Sequence, residues 1–106
     1  MKDDFSVILI TAPTAEEGKK LAKGLVQEKL AACVNVVTQV ESFYWWEGKI
    51  EHANEVLLVV KTLAEKESQI ETWVRTHHSY SVPEVIRLSI IEGSQPYLTW
   101  LKESLQ

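Results

Sequence analysis

The sequence predicts an α+β fold of β-α-β-β-α-β order, with a long β-hairpin at its centre and an extra helix at the C-terminus. Three observations predict it. Four runs are rich in Val, Ile and aromatic residues, as strands are. Two segments with apolar residues at helical spacing lie between runs one and two and between runs three and four. Glu47-Gly48 joins the second and third runs as a tight turn.

Each element has its own justification. Residues 5 to 12, FSVILITA, form a short apolar run of the kind that makes a buried strand, and Pro13 breaks it. Thr14, followed three residues later by Glu17, is a capping-box pattern that opens a helix. Leu21, Leu25 and Val26 fall at helical spacing, Leu30 extends the stripe, and Gly18 and Gly24 weaken it without overturning it. Residues 32 to 46, ACVNVVTQVESFYWW, read as the second strand and residues 49 to 63 as its returning partner. The second helix runs from Ala64 to His77, with Ile70, Trp73, Val74 and His77 on one face, and Pro83 bars its extension. Val85 to Ile91 is the fourth strand, ended by Gly93. Ser94 caps a last helix in which Tyr97, Trp100, Leu101 and Leu105 are expected to face inward.

This order is the split-βαβ, ferredoxin-like arrangement. Helices should cover one face of a four-stranded, mostly antiparallel sheet. The strands carry apolar residues on both sides, so the second face needs cover as well. Each hairpin strand, continuous at about 3.3 Å per residue, would reach roughly 50 Å. A compact 100-residue domain has a radius of gyration of only about 13 Å. Either the hairpin bends or bulges near Gln39, or it projects beyond its own domain. A projecting tip of Phe43, Tyr44, Trp45 and Trp46 would expose an apolar patch that soluble monomers rarely tolerate. Pairing with neighbouring subunits would cover the patch and the open sheet edge.

Composition narrows the function classes. The 106 residues are expected to form one domain, residues 1 to 106, with 45% hydrophobic and 25% charged residues. A net charge of −4 without a Lys/Arg cluster argues against nucleic acid as a partner. No basic amphipathic face or long apolar stretch points to a membrane. MKDDF carries two acids ahead of a short apolar run, unlike a secretory leader, and Cys33 is the single cysteine. A cytoplasmic location is expected.

Few residues could carry chemistry. There is no glycine-rich phosphate loop and no nucleophile elbow, and no organic cofactor is expected. Cys33 lies in LAACVNVV, the setting of an inert core thiol more than of a nucleophile. HHSYSVPE, residues 77 to 84, holds the best candidates. Histidine suits Cu(II). Adjacent histidines on a helix diverge by about 100°, so only a loop or a fraying helix end could turn both inward. His77 continues an apolar stripe, which fits a half-buried histidine as well as a ligand. His78 sits near a helix C-terminus, where a protonated ring would favour the dipole. Glu84 could orient a histidine or simply solvate a loop. An enzyme is the class least supported, since no acid–base pair stands out.

Taken in order, TAP at Thr11 to Pro13, EKLAACVNVV at Glu28 to Val37, SFYWWEGKIE at Ser42 to Glu51, LLVVKT at Leu57 to Thr62, HHSYSVPE, and YLTWL at Tyr97 to Leu101 resemble the divalent-cation tolerance (CutA) family over most of the chain. The resemblance implies a homotrimer of ferredoxin-like protomers whose long hairpins contribute to sheets shared between neighbours. It implies a role in tolerance of heavy metals, copper above all, with His77 and His78 as metal ligands for Cu(II) or another divalent cation. The family's third proposed ligand is a cysteine before TAP; here that position is Ile10, and Ser79 and Ser81 replace the usual proline and acid. The loss of a thiolate disfavours a tight Cu(I)-type site. The resemblance also implies a cleft between subunits, which places Tyr44, Trp45, Lys61, Tyr80, Glu84 and Arg87 as cleft or trimer-interface candidates. Lys61 and Arg87 could hold an anion there, or the group could glue the trimer. Two further roles stay open: a regulatory trimer binding a small anion, and a structural hub for protein partners.

Overall fold

The computed structural model describes residues 5–106. Four strands and three α-helices follow the predicted order: β1 (Phe5–Ala12), α1 (Ala15–Gln27), β2 (Cys33–Trp46), β3 (Lys49–Leu63), α2 (Glu67–His77), β4 (Ile86–Ser89) and α3 (Gln95–Ser104). The strands form one sheet in the order β2-β3-β1-β4. Every neighbouring pair is antiparallel. The two crossovers, through α1 and α2, each skip one strand, and both helices pack into the same core.

Alternation along the strands creates the face they cover. Ile8, Ile10 and Ala12 of β1 and Val56, Leu58 and Val60 of β3 point into a core with Leu21 and Leu25 of α1 and Ile70 and Val74 of α2. Ser6 and Thr62 lie on the same side, fully buried. Thr62 donates its hydroxyl proton to the Leu30 carbonyl at 2.6 Å, so burying it leaves no polar atom unmatched.

Thr14 caps α1 as expected, its hydroxyl accepting from the Glu17 N–H at 3.1 Å. The helix ends at Gln27, short of Leu30, because Lys29 takes a left-handed φ of 60° and Leu30 folds back onto the Leu25 carbonyl. Val26, still within α1, faces solvent instead of extending the buried stripe. A short 3₁₀ turn, Ala64–Lys66, leads into α2. β4 is shorter than its apolar run: only Ile86 to Ser89 pair with β1, at Ser6 to Leu9.

The hairpin both bulges and projects. The β2–β3 register shifts between Val37 and Val40, and Gln39 adopts φ 64°, the extra-residue geometry of a β-bulge. Pairing then resumes and runs to Trp46↔Lys49, where Glu47 (φ 49°) and Gly48 (φ 79°) form a two-residue turn with both φ positive. The described chain measures 46 × 25 × 23 Å, elongated along this arm.

The opposite sheet face carries Val7, Leu9, Leu57, Val59, Ile86 and Leu88, by the register of the strands. α3 packs only at one end of it, where Leu101 and Leu105 meet Leu63 and Phe5. Tyr97 and Trp100, expected to face inward, remain 42% and 45% exposed, because the helix reaches no further along the sheet.

Candidate functional site

The two histidines straddle the end of α2. His77 is its last residue, and His78 is already extended, with φ −84° and ψ 145°. That break in backbone direction gives the rings different surroundings.

His77 remains accessible. Its Nδ1–H donates to the Trp73 carbonyl at 2.8 Å, and its ring stacks on the Trp73 indole with centroids 4.0 Å apart. A carbonyl only accepts, so the neutral ring keeps a lone pair on Nε2. His77 and Trp73 line a groove of about 950 Å³ between α1 and α2, with Lys20, Lys23, Glu16 and Glu17 on the α1 side.

His78 is buried, its side chain fully shielded from solvent. Nε2–H donates to the Thr11 carbonyl at 2.7 Å, and Nδ1 accepts the Tyr80 N–H at 2.9 Å. Both ring nitrogens are therefore engaged in one neutral tautomer. Glu17 lies 3.4 Å from Nδ1 and accepts the Ser79 N–H at 2.9 Å. Burial pushes the Glu17 carboxyl up, but the Ser79 hydrogen bonds and the Lys20 charge more than offset this, and it sits below the usual carboxylate range. The sequence pattern marks Glu17 as the second half of a capping box; its carboxylate instead fastens the turn after α2.

Tyr80 turns toward the hairpin base. Its hydroxyl donates to Glu55 at 2.8 Å. Burial, that hydrogen bond and the nearby carboxylate push the phenol up to about 12, so it stays a proton donor. Tyr44 also acts on it through space. Burial first, and the Glu55 charge second, raise the Glu84 carboxyl. A raised acid costs stability when ionised: the penalty appears as pH rises past the unfolded value near 4.5 and is complete above the folded one. Glu84→Gln should therefore raise the thermal midpoint at pH 7 and give no gain at pH 3, checked by parallel melts at both pH values.

Lys61 and Arg87 do not meet within one chain. Lys61 bonds Asn35 Oδ1 on the sheet face away from the helices, opposite Cys33 in register. Arg87 pairs with Ile8 on the helix side, donating to Ser6 Oγ at 2.9 Å with Glu67 at 3.6 Å. Trp45 is exposed near the hairpin tip. Ile10, at the position of the expected cysteine, is buried in the core.

The residues present do not build a chelate for a bare metal ion: among the described residues no group of three His, Cys, Asp or Glu side chains converges. Glu17, Glu55, Trp73 and the Thr11 carbonyl are the partners that sequence reading missed. Trp73 carried a signal, its place four residues before His77 on one helix face, and Glu17 carried one that pointed to a different role.

Residues 6–104 match the family model described as CutA1 divalent ion tolerance protein. The chain is 51% identical over 98 residues to Protein CutA, chloroplastic, from Arabidopsis thaliana, covering 92% of this chain and 54% of that protein. It is 43% identical over 99 residues to the divalent-cation tolerance protein CutA of Archaeoglobus fulgidus, covering 93% and 96%. The chain thus spans about half the length of the plant relatives it matches. The crystal structure of CutA1 from Oryza sativa superposes with a TM-score of 0.93 at 46% identity, covering 95% of this chain and 93% of that one. The divalent cation tolerance protein from Thermus thermophilus gives 0.92 at 43%, covering 94% and 97%.

Proposed function

Because the chain belongs to the CutA1 divalent ion tolerance family, we propose that it acts in divalent-cation tolerance, copper foremost, as a homotrimer that takes up the ion at the His77–His78 turn. The observation that carries this is the open Nε2 of His77, an accessible imidazole donor whose ring is fixed by Trp73. His78 supports it by holding the turn on Thr11 and Tyr80. The role is one of binding, not catalysis, and we place it in the cytoplasm.

The trimer is supported by the apolar sheet face and by the exposed aromatic arm, both of which need cover. The anion-binding alternative is weaker in this chain. Tyr80 and Glu84 share their surroundings with a second carboxylate, Glu55, and that field repels anions.

Competition titration of Cu(II) against a chelator tests the reading, with Zn(II) alongside, because Cu(II) outcompetes Zn(II) at almost any nitrogen site. The native protein should take up copper weakly, anchored on one imidazole per chain. His77→Ala should lose that uptake, while His52→Ala should keep it. Equal binding by the native and His77→Ala proteins would remove His77 from the site.

A further inference from the structure

We propose that the hairpin arm is hinged at the Gln39 bulge and latched at its root by the Tyr80 hydroxyl on Glu55, so that the loop after α2 sets the direction in which the arm points. The inference goes beyond the copper reading and does not depend on it. The hinge lies where the arm leaves the body. β3 pairs with β1 from Leu63 to Val56, and from Glu55 outward its partner is β2. The β2–β3 ladder breaks at the same level: Val37 pairs with Leu57, Val40 pairs with Glu55, and Gln39 takes φ 64°. A bulge bends its strand and leaves a residue outside the ladder. Beyond it the arm runs as a two-stranded ribbon, the least stable form of sheet.

The two sides of the root differ. By register Glu55 shares the face of Leu57 and Tyr44, and Tyr80 meets it with a hydroxyl donated at 2.8 Å. On the helix side, Asn54 and Val56 border a cavity of about 460 Å³ that Pro13, Thr14 and Gln39 also line. The ribbon is fastened on one side and has room to move on the other. Tyr80 is a firm post for the fastening. Its N–H donates to His78 Nδ1 at 2.9 Å, and its ring lies 4.8 Å from that of His78. His78 in turn donates to the Thr11 carbonyl of β1 at 2.7 Å. Glu84, on the same loop, works against the latch, because its charge and that of Glu55 repel. One hydrogen bond closes the latch while a like charge opposes it, so a small change at the root can release the arm. Phe43 and Trp45 ride on the arm, exposed, and the latch decides where they are presented to a neighbouring chain.

Distance measurement by electron–electron double resonance tests the latch. Nitroxide labels are placed at Lys49→Cys near the arm tip and Lys19→Cys on α1, in a Cys33→Ser background. Labelled chains are co-assembled with an excess of unlabelled ones, so that each distance comes from within one chain. The parent protein should give one narrow distance. Tyr80→Phe keeps the ring beside His78 and removes only the hydroxyl. It should raise the displaced fraction of the arm by about tenfold, the loss expected for one hydrogen bond to a charged group. Glu55→Ala should do the same. Glu55→Gln, whose amide oxygen still accepts, should keep the arm closer to its parent position. A control pair at Lys19→Cys and Glu71→Cys, both on helices, should stay unchanged throughout. Three results overturn the proposal: an unchanged arm distance in Tyr80→Phe, release by Glu55→Gln as complete as by Glu55→Ala, or a helix pair that broadens along with the arm, which would mean a general loosening of the fold.

Discussion

Gly24→Ala is expected to destabilise the protein by about 1–2 kcal/mol, even though alanine is the better helix former. Gly24 lies within α1, where alanine would gain about 1 kcal/mol of helix propensity. Packing opposes that gain. A Cβ at this position would lie 2.5 Å from Cζ2 and 2.6 Å from Cη2 of Trp73, closer than carbon atoms can approach. The indole cannot swing away cheaply, because it packs against the core and carries His77 on its face. Forcing one methyl into such a contact costs about 1–3 kcal/mol or more, which exceeds the propensity term. Denaturant melts at fixed protein concentration measure the loss. The sign should reverse in a Trp73→Leu background, where the obstacle is gone and only propensity remains. If Gly24→Ala stabilises the native protein, the indole is free to move aside and the tight α1–α2 contact does not hold it. The change also bears on copper uptake. A displaced indole takes away the ring on which His77 stacks, so Gly24→Ala should weaken copper uptake as well as stability.

Most of the fold could be read from local signals. Pro13 and Thr14 marked the passage from β1 to α1, Glu47-Gly48 marked the hairpin turn, and the strand order follows from the alternation of elements. The errors came where a residue's fate is decided by distant neighbours. Tyr97 and Trp100 have the spacing of a buried stripe, but whether a stripe is buried depends on how far α3 reaches along the sheet. β4 pairs over only four residues although β1 runs on past Leu9, and the apolar run of β4 does not mark where pairing stops.

The site was less legible for the same reason. HHSYSVPE stood out by composition, yet the difference between its two histidines comes from the backbone carbonyls each ring meets. The Thr11 carbonyl, far away in the chain, takes one nitrogen of His78, and Trp73 leaves one nitrogen of His77 free. Lys61 and Arg87 look like a basic pair in the sequence, but register places them on opposite faces of the sheet. Glu55 gives no sign of its role until Tyr80 is folded against it.

Leu57→Asp combined with Val59→Asp is expected to turn the proposed trimer into monomers at micromolar concentration. Both residues lie at the middle of the sheet face that the helices leave bare, beside Leu9 and Thr11 of β1. Burying each such side chain contributes about 1.5–3 kcal/mol, and a trimer would repeat the pair three times. Putting a carboxylate there also asks a charge to leave water without a partner. The folded single chain tolerates the change better, because both positions are only half-buried in it, whereas Leu58 and Val60 between and beside them fill the core. Sedimentation should therefore report the monomer mass while circular dichroism keeps its αβ signature. Leu58→Asp provides the contrast: a charge at a fully buried core position should abolish folding itself. If the double variant stays trimeric, the bare sheet face is not the interface, and the aromatic arm must hold the subunits together. Trp45→Asp would then dissociate the assembly. If the sheet face is the interface, that arm substitution should cost less than the Leu57→Asp, Val59→Asp pair, because a projecting tip is held only along the periphery of an assembly whose centre is the sheet.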